Sequence, residues 1–144
     1  MTDNPVPPGA TREGILQMAT DAIRGTLMER LQLEWVDIGL ERVVARLPVD
    51  GNTQVYGQLH GGATAALCET IGSIGTAVAV GLEKRVAGIQ LSVNHLRAVD
   101  GGMITATGTP LRVGRSVAVW TMRVEDDDGN LVASGTLTVA IREP

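Results

Sequence analysis

Residues 61–82 read GGATAALCETIGSIGTAVAVGL, and Glu69 is the one charged side chain in the run. No proline interrupts it, and its length and alanine content predict a helix over residues 61–80. At 100° per residue Leu67, Ile71, Ile74 and Val78 share one face, which is the expected core stripe. Glu69 projects almost opposite, among Gly62, Ala65, Ala66, Gly72, Ser73 and Thr76. That second face is small and nearly uncharged, so the helix is expected to be buried or to let another backbone approach closely. A buried, unpartnered carboxylate costs several kcal/mol. Two readings of Glu69 follow: a carboxylate at a partly wet helix edge, or a poised acid–base or nucleophilic group.

Immediately upstream stands Leu59-His60-Gly61-Gly62. Two glycines at a helix start leave backbone N–H groups unpaired and sterically uncovered. Such a terminus can hold a developing oxyanion, or it can simply pack closely against a strand. His60 could cap the helix start or orient the loop. Gln54, six residues earlier, could donate to a carbonyl oxygen or be an ordinary loop glutamine. Ser73, a turn beyond Glu69, could position a water or simply pack. His95, in a strand, reads as a structural or edge histidine. With two histidines and no acidic cluster, no metal site is expected. Gly61 and Glu69 lie about 12 Å apart along one helix. One site can use both only if a second protomer supplies one of them, which implies an isologous dimer whose helices run past each other.

Outward from this helix, apolar residues from Ile15 to Leu31 recur at helical spacing. They predict a helix over residues 13–31, with Gly25 as its weak point. Residues 33–47 read as a hairpin turning at Gly39, and 48–59 as a turn-rich connection. Strands are expected over 85–98, 103–113, 115–125 and 131–142. Asp100-Gly101-Gly102 and Asp127-Asp128-Gly129-Asn130 mark turns between them. Helix, two strands, a long helix and an antiparallel meander make an α+β domain over 13–144, with one helix laid on a sheet. Residues 1–12, MTDNPVPPGATR, read as a flexible Pro-rich arm without the features of a signal peptide.

The composition excludes several classes. Aromatic residues are 2% of the 144, with Trp35, Trp120, Tyr56 and no Phe, so the platforms on which nucleic-acid modules stack bases are missing. A net charge of -4 argues against a phosphate-backbone binder. The single cysteine, Cys68, rules out an internal disulfide framework and suits a reducing cytoplasm. The longest charge-free stretch of interest, Thr70 to Leu82, is 13 residues, short of the roughly 20 a membrane span needs.

The run from Gln54 through His60-Gly61-Gly62 to Glu69 and Ser73 resembles the hotdog-fold acyl-CoA thioesterases, nearest to the phenylacetate-degradation and Arthrobacter-type 4-hydroxybenzoyl-CoA branch. The likeness extends through Gln90-Leu91-Ser92-Val93-Asn94-His95-Leu96-Arg97 and Leu111-Arg112-Val113-Gly114-Arg115-Ser116. It implies a hotdog fold, a long helix wrapped by a curved antiparallel sheet. It implies Glu69 as catalytic carboxylate, either nucleophile or general base, and Gly61 as the N–H that polarises the thioester carbonyl. Gln54 assists at that carbonyl, His60 lies near the thioester, and Ser73 is the hydroxyl one turn past the acid. Gly62, Asn94, Gly114, Arg115 and Ser116 are implied contacts of the substrate and its CoA. CoA enters as part of the substrate, with no separate cofactor. The site lies across a dimer interface, and dimers commonly pair into tetramers. Alternatives within the fold are a non-catalytic acyl-CoA-binding protein and an enoyl-CoA hydratase or dehydratase.

Overall fold

A computed structural model of the chain describes residues 10–144. Most of the arm expected over 1–12 therefore lies outside the described residues. Two short helices come first, α1 (Arg12–Ala22) and α2 (Leu27–Arg30). A hairpin follows, β1 (Glu34–Ile38) with β2 (Val43–Pro48), and then the long helix α3 (Gly61–Val80). Four strands complete the chain: β3 (Arg85–His95), β4 (Met103–Val113), β5 (Val117–Asp126) and β6 (Leu131–Arg142). They form one six-stranded antiparallel sheet in the order β1-β2-β4-β5-β6-β3, curled about α3. This is the hotdog architecture.

The continuous helix expected over 13–31 is two helices. Gly25 takes a φ of +72°, a conformation that ends a right-handed helix, and donates its N–H to Glu29 Oε2 at 2.7 Å. Thr26 then caps α2, its hydroxyl accepting the Met28 N–H. The C-terminal strands also depart from a simple meander. β4, β5 and β6 do run as neighbours, but β3 pairs with β6 at the far edge and β4 pairs with β2. Residues 96–102 are thus a crossover, not a hairpin turn. The crossing puts strands on both flanks of α3, so that the sheet closes around it. β3 ends at His95, and β5 starts at Val117 because Gly114-Arg115-Ser116 form the turn, held by the Gly114 N–H on Val117 O at 2.9 Å.

α3 lies deeper than its large residues alone imply. Leu67, Ile71 and Val78 are in the core as expected, and Ile74 is half-buried. Gly72 and Thr76, assigned above to the Glu69 face, are instead buried with Gly75 against the sheet. The cause is Trp120 on β5, which is fully buried. A side chain at Gly75 would collide with its indole, and its Nε1–H donates to Thr76 Oγ1 at 2.9 Å. By length and composition α3 could cross a membrane, but half of it is buried inside the fold, as befits a core helix. The face left outside the core carries Gly62, Ala66, Glu69, Thr70, Ser73 and Ala77.

Candidate active site

The start of α3 is built by His60. Its Nδ1 accepts the Gly62 N–H at 2.8 Å, and its carbonyl accepts the Ala63 N–H at 2.9 Å. Among the described residues no acceptor takes the Gly61 N–H, so the terminus presents one open donor and one only partly used dipole end. Capping through Nδ1 leaves Nε2 as the donor of the His60 ring. The loop before it is pinned by Asn52, 6% exposed, whose Nδ2 donates to Leu31 O and Pro48 O. Asn52 O in turn accepts the His60 N–H at 2.8 Å.

Gln54 stands on the same loop. Its Oε1 accepts the Tyr56 N–H, which leaves the amide nitrogen as a donor, and its backbone N–H donates to Gln58 O at 2.7 Å. Gln54 and Gly61 share a depression of about 380 Å³ with Gln58, Thr64, His95 and Arg97. His95 is closer to the chemistry than its position in a strand suggests. Its imidazole sits against Gly61, so that a Cβ there would come within 2.9 Å of Nε2. A side chain at 61 would have to push that ring aside. Leu91 and Val93 point to the helix side of β3, and the alternation carries His95 to that side as well. That parity is the signal in the sequence that could have placed it.

Glu69 lies in a different depression, a groove of about 500 Å³ between α1–α2 and the outer face of α3, shared with Ser73. Glu69 is exposed in the single chain, which fits the wet-edge or interfacial reading of this face and not the buried one. Across from it, a Cβ on Gly88 of β3 would come within 2.9 Å of Glu69 Oε1. Gly88, unremarked in the sequence, makes room for the acid. The neighbouring Cys68 is no rival nucleophile: burial pushes its thiol up to about 12.

The single chain therefore brings together Gln54, His60, Gly61 and Gly62 around one open N–H, and Glu69 with Ser73 around a second centre two helical turns away. Asn94 faces neither: it alternates with His95 and sits beside Ser134 on the outer face of the sheet. Gly114, Arg115 and Ser116 lie at the sheet end opposite His95, where the Ile141 N–H donates to Ser116 O at 2.8 Å. Arg85 and Arg142 are direct cross-strand partners at that end. Among the described residues neither they nor Arg112 and Arg115 join an ion pair.

Comparison with known proteins bears directly on this arrangement. Residues 56–133 match the family model of the thioesterase superfamily. The 1,4-dihydroxy-2-naphthoyl-CoA hydrolase of Escherichia coli is 35% identical over 118 residues, which is 81% of this chain and 87% of that protein. A proofreading thioesterase of Cronobacter turicensis is 36% identical over 118 residues, 81% of this chain and 86% of its own length. The crystal structure of a thioesterase from Haemophilus influenzae superposes with a TM-score of 0.84 at 32% identity, covering 93% of this chain and 92% of that one.

Proposed function

The chain belongs to the thioesterase superfamily and is a thioester hydrolase, and from that premise we propose that it cleaves an aryl or medium-chain acyl-CoA to the free acid and CoA, in a site shared by two protomers. The observation that carries this reading is the separation of Gly61 from Glu69. Eight residues of helix put them about 12 Å apart, and each lies in its own depression. β3 supports the pairing: it is an edge strand of 11 residues hydrogen-bonded only to β6 among the described residues. Such an edge is a template for a second copy of itself. Gly62 and Ala65, on the part of α3 outside the Glu69 groove, leave room for the partner helix to come beside it.

In the shared site the thioester oxygen accepts hydrogen bonds from the Gly61 N–H and the Gln54 amide. Both donors are held before substrate arrives, so they act on the charge that develops at that oxygen. The partner subunit's Glu69 attacks the carbonyl carbon or takes a proton from the water that does. The C–S bond breaks and the thiolate of CoA leaves, taking a proton from the water consumed; where Glu69 itself attacks, the acyl–Glu69 anhydride so formed is then opened by that water, which releases the free acid and restores the carboxylate. His60 through Nε2, and His95 against Gly61, line the approach to the carbonyl. Ser73 positions the acid or its water from one turn further along α3.

Arg85 and Arg142, like charges set directly across a strand pair, are destabilising on their own. With Arg112 and Arg115 beside the Gly114–Ser116 turn they suit the phosphates of a CoA nucleotide. The lone buried cysteine fits a cytoplasmic setting, and a dimer of dimers completes the assembly. The aryl-CoA branch is the one whose motif the His60–Glu69 run follows. The test is a thiol-release assay over acyl-CoAs: Glu69→Ala folds, dimerises and binds the ester but loses nearly all turnover. Retained turnover refutes the assignment.

A further inference from the structure

We propose that the groove between α1–α2 and α3 is the acyl chamber, that it takes an uncharged apolar acyl group, and that Ala22 and Ile23 on α1 limit the length of that group. This rests on the hydrolase reading, in which Glu69 stands at the thioester carbon. The acyl chain begins at that carbon, which adjoins both depressions of the shared site, and it enters the one whose lining is apolar. That depression is the 500 Å³ groove, within the size range of sites that bury small ligands.

The two depressions divide by chemistry. The one at Gly61 is lined by Gln54, Gln58, His95 and Arg97, donors fit for a carbonyl and for polar chain. The one at Glu69 is walled by Ala22, Ile23, Met28, Ile74 and Ala77, and among the described residues Glu69 is its only charged group. Thr70 in its wall gives its hydroxyl proton to Ala66 O at 2.8 Å. Among the described residues no lysine, arginine or histidine lines this groove to receive an anion. An acyl group ending in a carboxylate would lie there unpaired and beside a like charge, which is strongly disfavoured. An alkyl or aryl group instead gains from each carbon it removes from water.

The α1 wall sets the limit. Ala19 is buried, while Ala22 closes α1 and Ile23 is its C-cap, just before the chain reverses through Gly25. Alanine at 22 leaves space that a larger side chain would occupy. Being exposed apart from the groove, this position accepts a larger residue without disturbing the core.

The experiment measures kcat/KM for straight-chain acyl-CoAs from acetyl to decanoyl, with glutaryl-CoA beside hexanoyl-CoA, on the wild type, Ala22→Phe and Ile23→Ala. Affinities of S-ethyl-CoA and S-octyl-CoA, thioethers that cannot be hydrolysed, are measured by calorimetry on the same proteins. For the wild type kcat/KM rises about fourfold per methylene until the groove is full. Ala22→Phe lowers the octanoyl-to-acetyl ratio at least tenfold, Ile23→Ala moves the optimum to longer chains, and glutaryl-CoA falls at least tenfold below hexanoyl-CoA. An unchanged ratio in Ala22→Phe, or glutaryl-CoA turned over as well as hexanoyl-CoA, overturns the chamber while leaving the hydrolase standing. If no ester releases thiol, the hydrolase reading fails and the thioethers decide the chamber alone. Tighter binding of S-octyl-CoA that Ala22→Phe abolishes sustains it, and equal affinities overturn it.

Discussion

Mixing two inactive variants should restore activity, and the amount restored is set by geometry. Glu69→Ala removes the acid from one depression and Gln54→Ala removes a donor from the other. Losing the acid costs about 10²–10⁴ in rate, and losing one oxyanion donor about 10²–10³. Each homodimer carries the same lesion in both of its sites. A heterodimer differs: if the site joins Gln54 of one protomer to Glu69 of the other, one of its two sites bears both lesions and the other bears neither. Random reassociation makes half of the dimers heterodimers, so roughly a quarter of all sites are intact. The mixture should therefore turn over at about a quarter of the wild-type rate, at least ~25-fold above the better parent. The two proteins are co-unfolded and refolded, with a tag on one to count heterodimers, and thiol release is followed on one acyl-CoA. A site contained within a single chain predicts the mean of the two parents. Heterodimers present at the expected fraction with only that mean rate would refute the shared site, and the role of the 12 Å separation with it.

Two further outcomes concern the core beside the site. Thr76→Val keeps the volume but leaves the fully buried Trp120 Nε1–H without an acceptor. Stability should fall by about 1–3 kcal/mol in denaturant melts, and an unchanged midpoint would show that the indole finds another partner. Cys68 is buried and its thiol is held protonated up to about 12 against an ordinary 9.0. A thiol reagent at pH 8 should label it only after unfolding. Its folded pKa is raised, so between pH 9 and 12 the unfolded chain holds fewer protons. Its contribution then falls with rising pH, by up to about 1.4 kcal/mol per unit. A Cys68→Ala variant whose stability fell just as steeply above pH 9 would assign that loss to other groups.

Much of this fold is legible because its boundaries are local. Gly61 and Gly81 bracket α3, Gly39 turns the first hairpin, and Asp127–Asn130 the last. What the sequence conceals is long-range. No feature of residues 85–95 says that they pair with 133–142 and not with the next strand, because the two edges of β4 offer similar alternation. The crossover through residues 96–102 follows from the need to flank the helix on both sides. The face that α3 turns to the sheet is hidden for a related reason. A projection weighted on Leu67, Ile71, Ile74 and Val78 treats glycine as empty surface, yet Gly72 and Gly75 mark where the helix is pressed hardest onto the sheet, by Leu137 and Trp120.

The same inversion explains the site. Small residues mark close approach: Gly61 admits the His95 ring, and Gly88 admits the Glu69 carboxylate. Each contact spans many residues of chain, so the spacing of Gly61 from Glu69 was readable while the residues that hold them were not. The aromatic deficit is part of this logic. A sheet wrapped tightly about a helix has room for one large ring at its centre, and Trp120 takes it only because Gly75 gives way. The outer face of that helix stays small for a different partner. There Ala66, Ser73 and Ala77 lie half-buried beside an exposed acid and a strand edge that no described residue pairs. A surface carboxylate with no ion pair among the described residues, ringed by small side chains, makes chemical sense when a second protomer brings the open Gly61 N–H to it.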